Sequence, residues 1–270
     1  MEIFRNCNLM YVPSLLIVGE KMVKAKSPSI EDDIKVIPGN SSLLLIAPHG
    51  VSTKPKDDIN TDILTHEIVK QLGCCGIIND VFRKPRKMKG PNLENKDLNL
   101  YKIEQAQMHP TFLDEIRKMV KPPGKTLVVW IHGMKNSSAK TEAKNKASKF
   151  KGRADALHAL IGFGQGDSPK TGEPKNSFTA CKETANRFKN LLTEYGLTTI
   201  LTRKNASNFR GRHEDYMNQW FMNEGYKRSQ VESIQLEIRE KDFRDTVDNL
   251  KKTANILSKA LSGLVIGIKP

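Results

Sequence analysis

Long apolar runs are missing from this 270-residue chain. No stretch comes near the roughly 18 consecutive apolar residues that a membrane-crossing helix needs, so no membrane partner is expected. Cysteine is scarce: Cys7, Cys74, Cys75 and Cys181 are the only four. No Cys-x-x-Cys spacing occurs and the adjacent pair cannot readily bridge itself, which excludes a disulfide-stapled scaffold or a cysteine-based zinc finger. Aromatic residues are few, at 6%, and the most basic segments lack the repeated aromatics of a nucleic-acid stacking platform. The opening residues, Met1-Glu2-Ile3-Phe4-Arg5-Asn6, lack the basic-then-apolar order of a signal peptide, so the expected compartment is the cytoplasm, with reduced thiols.

Negative charge is also in short supply. Lys and Arg number 44 against 30 Asp and Glu, a net charge of +14. Such a balance suits an anionic substrate and raises nonspecific affinity for polyanions. The charge concentrates in Arg83 to Lys89 and in Lys135 to Arg153, which carries six lysines and one arginine. Both read as solvated loops, the second a mobile excursion over about 135–153. No nucleic-acid motif accompanies them, and no specific nucleic-acid partner is expected.

What the chain does have is strands alternating with helices. Leu43-Leu44-Leu45-Ile46 and Leu127-Val128-Val129-Trp130-Ile131 are unbroken apolar runs, each followed by a His-Gly pair, His49-Gly50 and His132-Gly133. They read as buried strands, with each histidine where a strand stops, the edge at which open α/β sheets carry ligands. Met10 to Gly19, Cys74 to Phe82, Leu157 to Phe163, Leu197 to Leu201 and Ser229 to Arg239 read as further strands. Helices are expected from Thr61, as N-cap, to Gly73, over Ile103 to Val120, and from about Thr179 to Glu194. From Asp242 the stripe Phe243, Val247, Leu250, Ala254, Leu257 and Leu261 marks a helix lying on the sheet. The expected architecture is a single 1–270 α/β domain, a three-layer sandwich with a central mixed, largely parallel sheet and helices on both faces.

Two strand-end histidines suggest a metal, and a catalytic zinc uses three protein ligands with one position left open. Asp57, Asp58 and Asp62 follow His49 closely enough to supply the third. Asp62 is preferred because it would sit on the rigid first turn of a helix, with Asp58 second. Hydrolysis also needs a base. In Gln235-Leu236-Glu237-Ile238-Arg239 the alternation puts Ile234, Leu236 and Ile238 on one side and Gln235, Glu237 and Arg239 on the other. An acid inside such a strand is costly to bury unless something pairs with it, and a metal-activated water is such a partner.

The order His49-Gly50, Asp62, Asp97-Leu98-Asn99, His132-Gly133 and Gln235-Leu236-Glu237-Ile238 resembles the N-formylglutamate amidohydrolase family, relatives of the zinc carboxypeptidases. The resemblance spans roughly Leu43 to Glu240 and implies a phosphorylase/hydrolase-like sandwich. It also implies one zinc ion on His49, Asp62 and His132, with Glu237 as general base and then acid, and Asn99 beside the substrate carboxylate. The family often continues that segment with Arg, where this chain has Leu100, so Arg210 and Arg212 are the proposed anion contacts. The implied reaction is cleavage of an amide bond in an acidic N-acylated amino acid or glutamyl peptide by metal-activated water. Ala185 to Arg203 also resembles a segment of zinc muramoyl-amidases, but there it precedes the second ligand histidine and here it follows both. The alternatives are therefore a zinc peptidase or cell-wall amidase, and a non-catalytic basic protein that binds polyanions.

Overall fold

The computed structural model describes residues 34–39, 42–49, 58–79, 100–120, 124–145, 157–165, 178–202, 208–213 and 215–265. Seven strands form one sheet: β1 (Ile34–Ile37), β2 (Leu43–Ala47), β3 (Cys75–Asn79), β4 (Thr126–Met134), β5 (Ala159–Gly162), β6 (Thr199–Leu201) and β7 (Val231–Arg239). Their order is β1-β3-β2-β4-β7-β5-β6. Pairings β2–β3, β2–β4, β4–β7 and β5–β6 are parallel, while β1–β3 and β5–β7 are antiparallel. This is the mixed, largely parallel sheet expected from the alternation of elements.

The helices are α1 (Thr61–Leu72), α2 (Ile103–Gln107), α3 (Pro110–Met119), α4 (Asn136–Asn145), α5 (Lys182–Glu194), α6 (Met217–Asn223) and α7 (Val247–Val265). They cover both faces. On one, Leu45, Val129, Ile131, Ile234, Leu236 and Ile238 meet Leu64 and Ile68 of α1, Phe188 and Leu192 of α5, and Leu250, Leu257 and Leu261 of α7. On the other, Leu44, Ile46, Ile77, Val128 and Trp130 meet Phe112 and Ile116 of α3 and Met217, Trp220 and Phe221 of α6. Strands buried on both faces need apolar residues at successive positions, which is why β2 and β4 read as unbroken runs.

Several boundaries differ from expectation. Ile103 to Val120 is two helices, because Pro110 lacks an amide proton and its ring excludes the preceding turn; it opens α3 instead. The basic segment after Lys135 carries α4. The last helix starts at Val247, which is 64% exposed, so Phe243 and Val247 are not part of its buried stripe. Met10 to Gly19 lies outside the described residues. Among the described residues no helix is long and apolar enough to cross a membrane.

Candidate metal centre

Strand register builds the centre. β4 and β7 pair over nine residues, with His132 directly opposite Glu237 and Trp130 opposite Gln235. Side chains facing each other across a strand pair share a side of the sheet, here the side covered by α3 and α6. Pairing runs on through Gly133↔Ile238 and Met134↔Arg239, so His132 lies inside β4 rather than at its end. His49 follows β2, the neighbour of β4 on its other edge. Its turn is held where Pro48 O accepts bonds from Asn79 Nδ2 at 3.0 Å and Leu100 N–H at 3.3 Å. The imidazoles of His49 and His132 meet edge to face, with ring centroids 5.0 Å apart.

The carboxylate that joins them is that of Asp58. It lies 3.9 Å from His49 Nε2 and 3.7 Å from His132 Nδ1, and Gly133 N–H donates to its Oδ1 at 2.6 Å. One ligand atom from each of the three residues falls within 4.8 Å of the others. Two donors each about 2.1 Å from a tetrahedral zinc stand about 3.4 Å apart, so these gaps are close to those of a ligand set and too long for hydrogen bonds. His132 is 4% exposed, and its buried Nε2 has no hydrogen-bond partner among the described residues. Two nitrogen donors and one carboxylate, nearly dry and converging, fit a zinc ion.

Asp62 lies elsewhere. It is buried against Lys35, Ile63, His66 and Ile78, which line a shallow pocket between α1 and the β1–β3 edge. The geometry of the turn before α1 explains the exchange. Asn60 takes a left-handed conformation at φ 60°, and the Thr61 hydroxyl does not cap the helix but donates back to Asp58 O at 2.9 Å. Thr61 therefore fixes the turn that aims Asp58 at β4. From the opposite end of the chain, Arg244, fully buried, donates to Ile238 O at 3.1 Å and also to Ile59 O, while Asn60 Nδ2 donates to Arg244 O at 2.7 Å. This guanidinium clamps the Asp58 turn to the end of β7. Neither Thr61 nor Arg244 carries a signal for this role in the sequence.

Electrostatics separates the two acids. Burial works against the Asp58 charge, but His49, His132 and the Gly133 amide outweigh it and hold the carboxyl well below its usual range. Glu237, 3% exposed, goes the other way. Burial pushes it up to about 7, aided by the Asp58 charge and opposed by His132, the Gln235 amide and Arg244. One acid is thus permanently charged and the other is poised to gain and lose a proton near neutrality. Tyr101, which sequence reasoning passed over, packs edge-on to His132 with ring centroids 4.4 Å apart. Burial raises its phenol well above the usual value, so it remains a donor.

Of the remaining expected residues, Asn99 lies outside the described residues. Arg210 and Arg212 lie in the segment next to β5, the neighbour of β7. Gly162 of β5 is in register with Gln235, and a Cβ there would stand 2.1 Å from Phe209 O and 2.7 Å from Arg210 C. Only glycine lets the Phe209–Arg210 backbone come this close to the sheet at that point. Arg212 is buried and donates to Gly164 O at 3.2 Å, and half-buried Arg210 lies within 3.5 Å of Gln165 O.

No protein-family profile matches the chain, and no curated protein sequence does. Solved structures do match. The N-formylglutamate amidohydrolase of Ralstonia eutropha JMP134 is 13% identical with a TM-score of 0.52, over 87% of this chain and 98% of that one. A bacteriophage poly-gamma-glutamate hydrolase is 13% identical over 85% and 87%, with a TM-score of 0.43. A metallo-carboxypeptidase of Burkholderia cenocepacia is 11% identical over 86% of this chain and 58% of its own, with a TM-score of 0.46. At 13% identity the likeness to the Ralstonia structure is one of fold, and it is the fold that the motif order implies.

Proposed function

We propose that this chain is a zinc-dependent hydrolase of amide bonds, acting on an acidic N-acylated amino acid or a glutamyl peptide. The observation that carries the reading is the opposition of His132 and Glu237 across β4 and β7, with Asp58 and His49 closing a three-donor set beside them. His49, Asp58 and His132 would hold the ion. When bound, zinc supplies Lewis acidity, polarising the scissile carbonyl and lowering the pKa of water. Glu237 takes the proton from the attacking water on its carboxylate and returns it to the leaving nitrogen, a task that its place opposite His132 suits. Burial on both sides of the sheet keeps bulk water from that carboxylate.

Arg210 and Arg212 would receive the substrate's carboxylate. A guanidinium offers a planar pair of donors matched to that group, and the net charge of +14 favours approach of an anion. The fold shared with the Ralstonia N-formylglutamate amidohydrolase supports the reaction class.

Purified protein never exposed to chelator should contain about one zinc per chain. It should hydrolyse at least one of N-formyl-glutamate, N-acetyl-glutamate and γ-glutamyl-glutamate. Glu237→Gln should retain the zinc and lose about 10²–10⁴-fold in kcat, the range for a general acid–base. Zinc well under one per chain would sink the metal reading. An active Glu237→Gln protein would remove the base while leaving the ion.

A further inference from the structure

Glu237 does not face the centre alone. Two residues earlier on β7 is Gln235, and successive same-face side chains on a strand are about 6.6 Å apart, within reach of a glutamine. Its Nε2 donates to Glu237 Oε1 at 2.6 Å. The other end of the amide is also committed, because Tyr101 O–H donates to Gln235 Oε1 at 2.8 Å. Both side chains are buried, Gln235 at 3% and Tyr101 at 4% exposure. Tyr101 is held in turn by its backbone, whose carbonyl accepts from Met217 N–H at 2.8 Å, and by ring contacts to Trp130, His132 and Tyr216.

The direction of this chain of bonds has a consequence. A glutamine amide can present either an oxygen or an N–H to a carboxyl group, and the two ends differ only by a half-turn. The ionised Glu237 carboxylate can only accept, so it takes the amide N–H, and the amide oxygen is left to accept from Tyr101 O–H. We infer that Gln235 and Tyr101 are positioning residues for Glu237. Together they fix one carboxylate oxygen by an oriented N–H and leave the other for proton transfer. Tyr101 acts on Glu237 through Gln235, and it links the orientation of Glu237 to that of His132 because the same ring packs on that imidazole. The inference rests on the reading of Glu237 as the base.

Its test compares Gln235→Leu, Tyr101→Phe, the double variant and Glu237→Gln in the zinc-loaded protein, on the substrate that the wild type cleaves fastest among the three named above. Gln235→Leu should lower kcat by about 10–100-fold with KM within twofold, since misplacing a catalytic group is read in turnover. Tyr101→Phe should lower kcat by about 3–10-fold, and adding it to Gln235→Leu should cost nothing further, the mark of residues acting in series. A merely structural role would instead give additive losses of melting temperature and zinc content. A second readout needs no substrate: the Gln235 side-chain amide protons, followed by ¹⁵N NMR, should exchange slowly with solvent in the wild type. They should exchange at least tenfold faster in Tyr101→Phe. The inference is overturned if that exchange is unchanged, or if Gln235→Leu and Tyr101→Phe turn over like the wild type while Glu237→Gln is inactive. An active Glu237→Gln protein would overturn the role of the base, and the exchange measurement would still decide whether the three side chains are linked.

Discussion

The two sides of β7 are built from the same nine residues and do opposite things. Ile234, Leu236 and Ile238 enter the apolar layer under α1, α5 and α7. Ser233, Gln235, Glu237 and Arg239, equally buried, face the other way. There Ser233 Oγ donates to Asn218 Oδ1 at 2.5 Å and receives Trp130 Nε1–H at 2.9 Å, and Gln235 bridges Tyr101 and Glu237. One side gains its stability from the removal of apolar area from water. The other gains little net stability, because buried polar groups must first recover the hydration they lose. What it gains is fixed geometry: each polar group has a partner that dictates its direction.

Four substitutions probe that contrast, beginning with the largest effect. Glu237→Leu should lower turnover by about 10²–10⁴-fold, yet change the melting temperature little, since relief of the buried acid offsets the Gln235 N–H left without its carboxylate. A large fall in stability would mean that the polar side carries the fold after all. Leu236→Ala should do the reverse, costing about 2–5 kcal/mol in denaturant unfolding, with zinc content and the kcat of the folded protein within a few-fold of wild type. Gly162→Ala should displace residues 209–212, raise KM for acidic substrates more than kcat falls, and leave zinc binding intact. An unchanged KM would separate Arg210 and Arg212 from substrate recognition.

The smallest effect is expected at His158, at the far end of β5. Its pKa is lowered from 6.5, by burial first and by Arg239 second. The unfolded chain therefore binds more protons than the folded one in the window just below pH 6.5. The associated stability is complete above that window and is lost as pH falls through it. His158→Gln should flatten the melting temperature across this range, and an unaltered pH dependence would refute the assignment.

Much of this contrast is legible in the sequence. The alternation Ile234-Gln235-Leu236-Glu237-Ile238 gives the two sides of β7, and the apolar runs before His49 and inside β4 give the central strands. The choice among Asp57, Asp58 and Asp62 is not legible, because all three lie within reach of His49 along the chain. What selects Asp58 is the Gly133 amide, the Thr61 hydroxyl and the Arg244 guanidinium, two of them distant in sequence. A first-turn acid on a rigid helix is a sound reading of local pattern, but α1 turns that residue toward β1 and β3 instead. Helix α6 escapes notice for a related reason: its buried Asn218 and Gln219 bond to Gly211 O and interrupt the apolar stripe that periodicity detects. Tyr101 carries no signal of its own beyond following the Asp97-Leu98-Asn99 segment.

The clamp at Arg244 also sets a schedule. It joins Ile59 to a guanidinium 185 residues further on, a contact of very high sequence separation whose loop-closure entropy is met only late in folding. During synthesis His49 and His132 leave the ribosome well before the chain that clamps the Asp58 turn. A nascent chain thus holds all three donors once residue 132 has emerged, with the Asp58 turn closed by Thr61, and gains the clamp to β7 only after Arg244 follows. Capture of an ion at full strength would then report a finished fold, and a chain truncated before residue 244 should bind zinc more weakly than the full chain.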